Sequence, residues 1–292
     1  MNLAARQALK VYLPSAVHTP IRRLDTYIRR LTYWAQIVRD TRGEGPEDRR
    51  AVWSAFLRSP LTALADIDRW QDPTLTRDAR VCIRGVGRFD VRAGADDLHH
   101  IFPGREPEVY KAIRTWLRTG DVFVDAGANI GFYTIVASRI VGPQGRVIAV
   151  EMMPDTAGVL RRHVEINDAT NVEIVEHALS DIRGREIEAR VEQGKFGQAS
   201  IRRAEGGTVV RVGTETLDNL LSGLGRIRLM KMDLEGAEHA ALLGARSGLD
   251  RIDAILFEAL PGSDDAAPIL IQHGFTVRSL SRRDHIAVRA DH

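Results

Sequence analysis

Cysteine, long apolar runs and net charge are all scarce in this chain, and each shortage removes a class of protein. Cys82 is the single cysteine among 292 residues, so no internal disulfide can form, which fits a reducing, cytoplasmic setting. It stands in the strand-like run "VCIRG" and reads as a small core side chain rather than a reactive thiol. No stretch of about 18 apolar residues occurs, so no membrane span is expected. The first residues, "MNLAARQALKVYLPSAV", are broken by an arginine and a lysine and make a poor signal peptide. A net charge of +2 gives no global field for nucleic acid or membrane. Aromatic residues are not interleaved with basic ones as in a nucleic-acid platform. Repeats and low-complexity tracts are missing too.

What remains is an ordinary globular composition, 44% hydrophobic and 27% charged. The basic residues are unevenly spread: residues 1–42 sum to +6, leaving the rest slightly acidic. In "TPIRRLDTYIRRLTYWAQIVRD", Ile21, Leu24, Ile28, Leu31, Ala35 and Val38 recur at helical spacing behind Thr19 as N-cap and Pro20. This predicts a helix packed through that stripe on its own domain, its arginines solvated. A dimer helix, or a surface for an acidic partner or lipid headgroups, is the functional alternative. A second helix is expected from Pro46 and a third around "TALADIDRW". The alternations flanking Gly85 and Gly87 predict a β-hairpin.

From residue 122 strand and helix patterns alternate, which predicts an α/β, doubly wound, mostly parallel sheet. Its first unit is "VFVDAGANIGFYTIVASRI". The loop holds Gly127 and Gly131 but has Phe132 where a dinucleotide-binding loop needs a third glycine. In such sheets ligands bind at the carboxyl ends of strands, near this turn. Asp125 beside the glycines repels a pyrophosphate and suits a ligand bearing an ammonium or sulfonium charge, or else braces the loop. Glu151 ends the next strand, where a carboxylate suits a ribose diol. The third strand, "VEIVEHAL", ends in Ala178 and Leu179, which with Asp181 are placed to frame a purine. An adenosine with a cationic amino-acid tail fits this set, and a nicotinamide dinucleotide fits it badly.

Residues from about Phe102 to Ala259 resemble a class I S-adenosylmethionine-dependent methyltransferase of the FkbM type. The resemblance rests on "REPEVY", "VFVDAGANIGFYT", "VIAVE", "HALSD", "ETLDNLL" and "MKMDLEGAE". It implies a Rossmann-like seven-stranded sheet whose last strand is antiparallel, matching an expected terminal hairpin in "FTVRSL" and "HIAVRA". It also implies S-adenosylmethionine as cofactor. Gly127, Ala128, Asn129 and Gly131 would wrap its methionine part, with Asp125, Thr134 and Asp233 nearby. Glu151 and Met152 would meet the ribose, Ala178 and Leu179 the adenine, and Glu106 the tail. The chain's own patterns predict a helical region 1–75 for substrate or oligomerisation, which lies outside the resemblance, then a hairpin and loop 76–104 and the cofactor domain 105–292. A homodimer through the N-terminal helices would be compatible with it.

Methyl transfer needs a collinear arrangement, and an alcohol must also lose its proton. Asp233, Glu235, Glu258 and His99 are the candidate catalytic residues. Glu235, Glu238 and His239 are expected to share one helical face, with Glu238 and His239 only complementing the helix dipole. No three-ligand spacing emerges, so no metal is expected. Lys195, Phe196, Gln198 and Ser200, in the polar excursion after the third strand, are the candidate acceptor-binding residues. "DLEG" stands where DNA-amino methyltransferases carry a proline pair, so no nucleic acid partner is expected. The expected acceptor is a small molecule, glycan or peptide. The reading is O-methylation of a sugar, glycan or secondary-metabolite hydroxyl. Its rivals are peptide amide N-methylation, a nicotinamide oxidoreductase and a non-catalytic scaffold.

Overall fold

The computed structural model of the protein describes residues 15–65, 74–191, 208–259 and 266–289. The candidate acceptor residues Lys195, Phe196, Gln198 and Ser200 lie outside these. Two helices, α1 (Ser15–Asp40) and α2 (Pro46–Ala65), come first, separated by the short strand β1 (Thr41–Gly43). β1 pairs antiparallel with β2 (Ala79–Ile83), which forms the expected hairpin with β3 (Gly87–Val91). Arg42 on β1 and Arg88 on β3 flank Cys82 in register. Cys82 itself is exposed, against expectation: strand alternation turns Val81 and Ile83 inward and therefore Cys82 out.

α1 departs from expectation in the face it buries. Trp34 and Ile37 are buried, whereas Leu24 and Ile28 of the sequence stripe are 60% and 53% exposed. Trp34 explains the choice. Its indole N–H donates to the Phe56 carbonyl of α2 at 3.1 Å, and the two rings meet edge to face at 5.0 Å. A large aromatic that buries area and satisfies its donor outweighs two aliphatic residues. The second and third expected helices are one: α2 continues to Ala65 through Pro60, and the rest of "TALADIDRW" lies outside the described residues.

After α3 (Asp97–His100) and α4 (Pro107–Trp116) the main sheet begins. Its elements are β4 (Val122–Ala126), α5 (Phe132–Val141), β5 (Arg146–Val150), α6 (Pro154–Ile166) and β6 (Val172–Val175). A side sheet follows, β7 (Ala178–Leu179), β8 (Glu186–Val191) and β9 (Thr208–Glu215). Then come α7 (Leu217–Leu220), β10 (Leu229–Met232), α8 (Glu238–Leu243), β11 (Ala254–Glu258) and α9 (Ala267–Gln272). The terminal hairpin is β12 (Phe275–Ser279) and β13 (Asp284–Arg289). The expected single strand "VEIVEHAL" is broken: β6 stays in the main sheet while β7 joins β9 in the side sheet.

The seven main strands run in the order β12-β13-β11-β10-β4-β5-β6. Neighbours from β11 through β6 are parallel, and β13 is inserted antiparallel between β11 and β12. The expected doubly wound sheet with an antiparallel last strand is therefore present. Chain order reverses between β4 and β10, which makes their carboxyl ends the switch point where a crevice opens.

Candidate active site

The crevice is an open cleft of about 890 Å3 at those strand ends. One wall is the loop from β4 to α5. Gly127 and Ala128 N–H groups both donate to the Val150 carbonyl, at 3.0 and 2.9 Å, folding the loop back over β5. Gly127 sits at φ +81° beside the Asp233 carbonyl, with which a Cβ would overlap. Asn129 is also left-handed, at φ +50°, and its side-chain oxygen accepts from Ile130 N–H at 2.8 Å. Gly131 touches α6, where a Cβ would overlap Leu160.

Glu151, the first residue after β5, lines the cleft and ties the wall together. One carboxylate oxygen accepts from Asn129 N–H and the other from Met153 N–H, both at 2.9 Å. Burial still pushes its pKa up to about 7. Each oxygen keeps a second lone pair for a ligand hydroxyl. Met152, Ala178 and Leu179 line the same cleft, as expected, and His177 joins them.

Other expected residues brace the wall. Asp125 is buried beneath the loop and accepts from the Thr134 hydroxyl at 2.6 Å. That favours the bracing reading of Asp125. Behind the loop, His163 of α6 is fully buried. Asp90 N–H donates to its Nε2 at 2.8 Å, leaving Nδ1–H for the Ile130 carbonyl at 2.6 Å. Burial lowers the His163 pKa, which keeps the ring neutral for this pairing. A histidine that the sequence reading passed over thus links the hairpin to the glycine loop.

The opposite wall is β10 and the turn after it. All four residues of β10 are buried, including Lys231. Lys231 Nζ lies 3.0 Å from Asp233 Oδ2 and 5.2 Å from the centroid of the Tyr133 ring. Its strand partner in register is Asp125. Although burial opposes it, the charges of Asp233 and Asp125 hold the Lys231 ammonium above the ordinary lysine value. Burial likewise opposes ionisation of Asp233, yet Lys231 and then Arg105 hold it below the usual carboxylate range. Lys231, Arg105 and Tyr133 line the cleft, and none of them is a candidate from the sequence; His100 lines it too. The available signal for Lys231 was a lone charge in the apolar run "LMKM".

Glu235 also lines the cleft, but not from a helix. It has φ +50° and Gly236 +97°, so the turn after Asp233 is left-handed and α8 starts only at Glu238. The expected shared helical face is corrected accordingly. Burial pushes the Glu235 pKa up to about 7, with the charges of Asp233 and Glu258 adding to it. Glu238 turns back to accept from Leu234 N–H at 2.8 Å. His99 is turned away from the cleft, its Nδ1 3.0 Å from the Tyr33 hydroxyl of α1, while its neighbour His100 faces in. Glu106 accepts from the Tyr133 hydroxyl at 2.9 Å and faces, with Glu258, a smaller crevice of about 270 Å3. Lys231 and Asp233 form the boundary shared by the two.

The family model of the Methyltransferase FkbM domain matches residues 125–284, more than half of the chain. The chain belongs to this methyltransferase family. It is similar to an arsenite methyltransferase of Halobacterium salinarum, 34% identical over 86 residues, 27% of this chain and 21% of that protein. It is also similar to the methyltransferase sdnD of Sordaria araneosa, 29% identical over 160 residues, 44% of this chain and 61% of that protein. The matched part is less than two thirds of either relative's length. The solved precorrin-6y C5,15-methyltransferase of Geobacter metallireducens overlays 63% of this chain and 89% of its own, at 17% identity and TM-score 0.41.

S-adenosylmethionine is the cofactor of the FkbM methyltransferase domain, and the residues present suit it. Glu151 keeps a lone pair on each oxygen for a ribose diol, and Asp233 and Glu235 line the cleft together with Lys231 and Arg105. Gly127 leaves the space beside the Asp233 carbonyl that any side chain would fill. Among the described residues, no helix is long and apolar enough to cross a membrane.

Proposed function

We propose that the protein is a cytoplasmic O-methyltransferase acting on a hydroxyl of a sugar, a glycan or a secondary metabolite. The observation that carries this reading is Glu235, a carboxyl pushed up to about 7 that lines the cleft beside Asp233. When bound, S-adenosylmethionine supplies an electrophilic methyl group on a sulfonium. The glycine loop, Glu151 and the Ala178–Leu179 edge hold its methionine, ribose and adenine parts. Asp233, fixed by Lys231, orients the acceptor. Glu235 takes the proton as the acceptor oxygen attacks, and a base titrating near neutrality is matched to that task. An amide nitrogen has its lone pair delocalised into the carbonyl and is a poorer nucleophile than a hydroxyl oxygen, which favours a hydroxyl over a peptide amide.

Cofactor and acceptor roles are tested separately. By calorimetry, S-adenosylhomocysteine is expected to bind the wild type, and Glu151→Ala to weaken binding by about tenfold or more, ~1.4 kcal/mol. Failure of the wild type to bind would remove the cofactor reading. With labelled S-adenosylmethionine and a panel of methyl glycosides and macrolactone alcohols, a hydroxyl is expected to be methylated. Here kcat/KM should rise with pH through about 7 as Glu235 ionises. Glu235→Gln should lower it about 10²-fold and flatten that rising limb, leaving only the part due to Glu151, which titrates in the same range, while still binding S-adenosylhomocysteine. Methylation of amides alone, or an unaltered pH profile in the variant, would overturn the assignment.

A further inference from the structure

The N-terminal helices carry a surface that the cleft does not use. On α2, Trp53, Leu57 and Leu61 recur every fourth residue and are 56%, 67% and 65% exposed. They point away from the face that buries Ala51, Val52, Ala55 and Phe56. Leu24 and Ile28 form a second exposed apolar line on α1. Together these residues make up most of the large exposed hydrophobics among the described residues, and apolar surface concentrated in this way marks an interaction site.

The charge around these lines selects the occupant. Residues 15–65 contain nine arginines against five acids. On α2 every charged residue after Asp48 is an arginine: Arg49, Arg50 and Arg58. By helical spacing Arg50 continues the line of Trp53, Leu57 and Leu61 toward the helix start. Asp25 and Asp40 pair with Arg29 and Arg39, both at 2.8 Å, while Glu47 pairs with Arg77 outside these helices at 2.9 Å, so an excess of arginine remains. A second copy docking through this face would set arginines against arginines. A bilayer surface with anionic headgroups complements both features: the arginines meet phosphates, and tryptophan and leucine side chains enter the headgroup boundary.

We propose that α1 and α2 form a docking surface for anionic membranes, which brings the cleft to acceptors at or near a bilayer. In flotation assays the full chain should bind vesicles of phosphatidylcholine with one third phosphatidylglycerol about tenfold more tightly than pure phosphatidylcholine, and less tightly as salt rises. Leu57→Glu combined with Leu61→Glu should lower that binding about tenfold. Arg50→Glu, a surface change that leaves packing untouched, should lower it several-fold. Circular dichroism and S-adenosylhomocysteine binding of both variants should match the wild type. Wild-type chain that ignores anionic vesicles overturns the proposal, as does binding that neither variant reduces. A concentration-dependent dimer, abolished by Leu57→Glu with Leu61→Glu and formed without lipid, would instead make this face a self-interface.

Discussion

Gly127→Ala is expected to abolish measurable S-adenosylhomocysteine binding and to destabilise the fold by about 3 kcal/mol or more. Two effects add at this position. The backbone is at φ +81°, which a residue with a Cβ adopts only under strain, and the new methyl would overlap the Asp233 carbonyl oxygen. Neither neighbour can move cheaply. Gly127 N–H is held by the Val150 carbonyl at 3.0 Å, and Asp233 N–H by the Ala126 carbonyl, also at 3.0 Å. Relief would therefore have to separate β4 from β10 at the switch point itself. Gly85→Ala provides the control. That glycine has φ +72° in the β2–β3 turn, but a Cβ there meets nothing. It should cost only the conformational term, about 1 kcal/mol, and leave cofactor binding intact. Urea titrations of both variants beside calorimetry separate the two effects. Equal losses at both positions would mean that the Asp233 contact contributes nothing.

The contrast between these two glycines also shows what the sequence made legible. A strand, a glycine turn and a helix were readable at residues 122–141 because a strand buried on both faces is a continuous apolar run, and because glycine is needed where the chain reverses. The cleft positions of Glu151, Met152, Ala178 and Leu179 are readable for the same reason: the crevice of a doubly wound sheet opens at the carboxyl ends of its strands. The turn after Asp233 was misread because Glu235, Glu238 and His239 have helical spacing whether or not a helix has begun. Gly236, at φ +97°, was the warning. On α1 two apolar faces competed, and periodicity alone does not say which one finds a partner. The Trp34 indole bond to Phe56 decided that. His99 and His100 are adjacent in sequence, and which of them faces the cleft depends on packing against Tyr33 of α1, a contact between residues far apart in the chain.

Lys231→Met should cost about 3–5 kcal/mol at pH 7, because removing one member of a buried ion pair strands the other. Methionine fits the volume and the neighbouring methionines, so the loss isolates charge. Without the ammonium, Asp233 loses its 3.0 Å partner, and Asp125, already pushed upward by burial, loses its main counter-charge. The sign of the pH dependence follows. In the wild type the lowered Asp233 pKa contributes stability above the unfolded value of 3.8, lost as pH falls through the folded one. In the variant both carboxyls are raised, so their ionised forms penalise folding at neutral pH and the penalty fades as they protonate. The stability gap between wild type and variant should therefore narrow steadily from pH 7 toward pH 4, as read from urea midpoints. A second change, Asp233→Asn on top of Lys231→Met, should recover part of the loss at pH 7, since replacing both partners strands less charge than removing one. A gap that is flat with pH, or a double variant no better than the single, would show that Lys231 acts through packing. In that case the ionisation of Asp233 would have to come from Arg105, which lines the same cleft from the segment before α4.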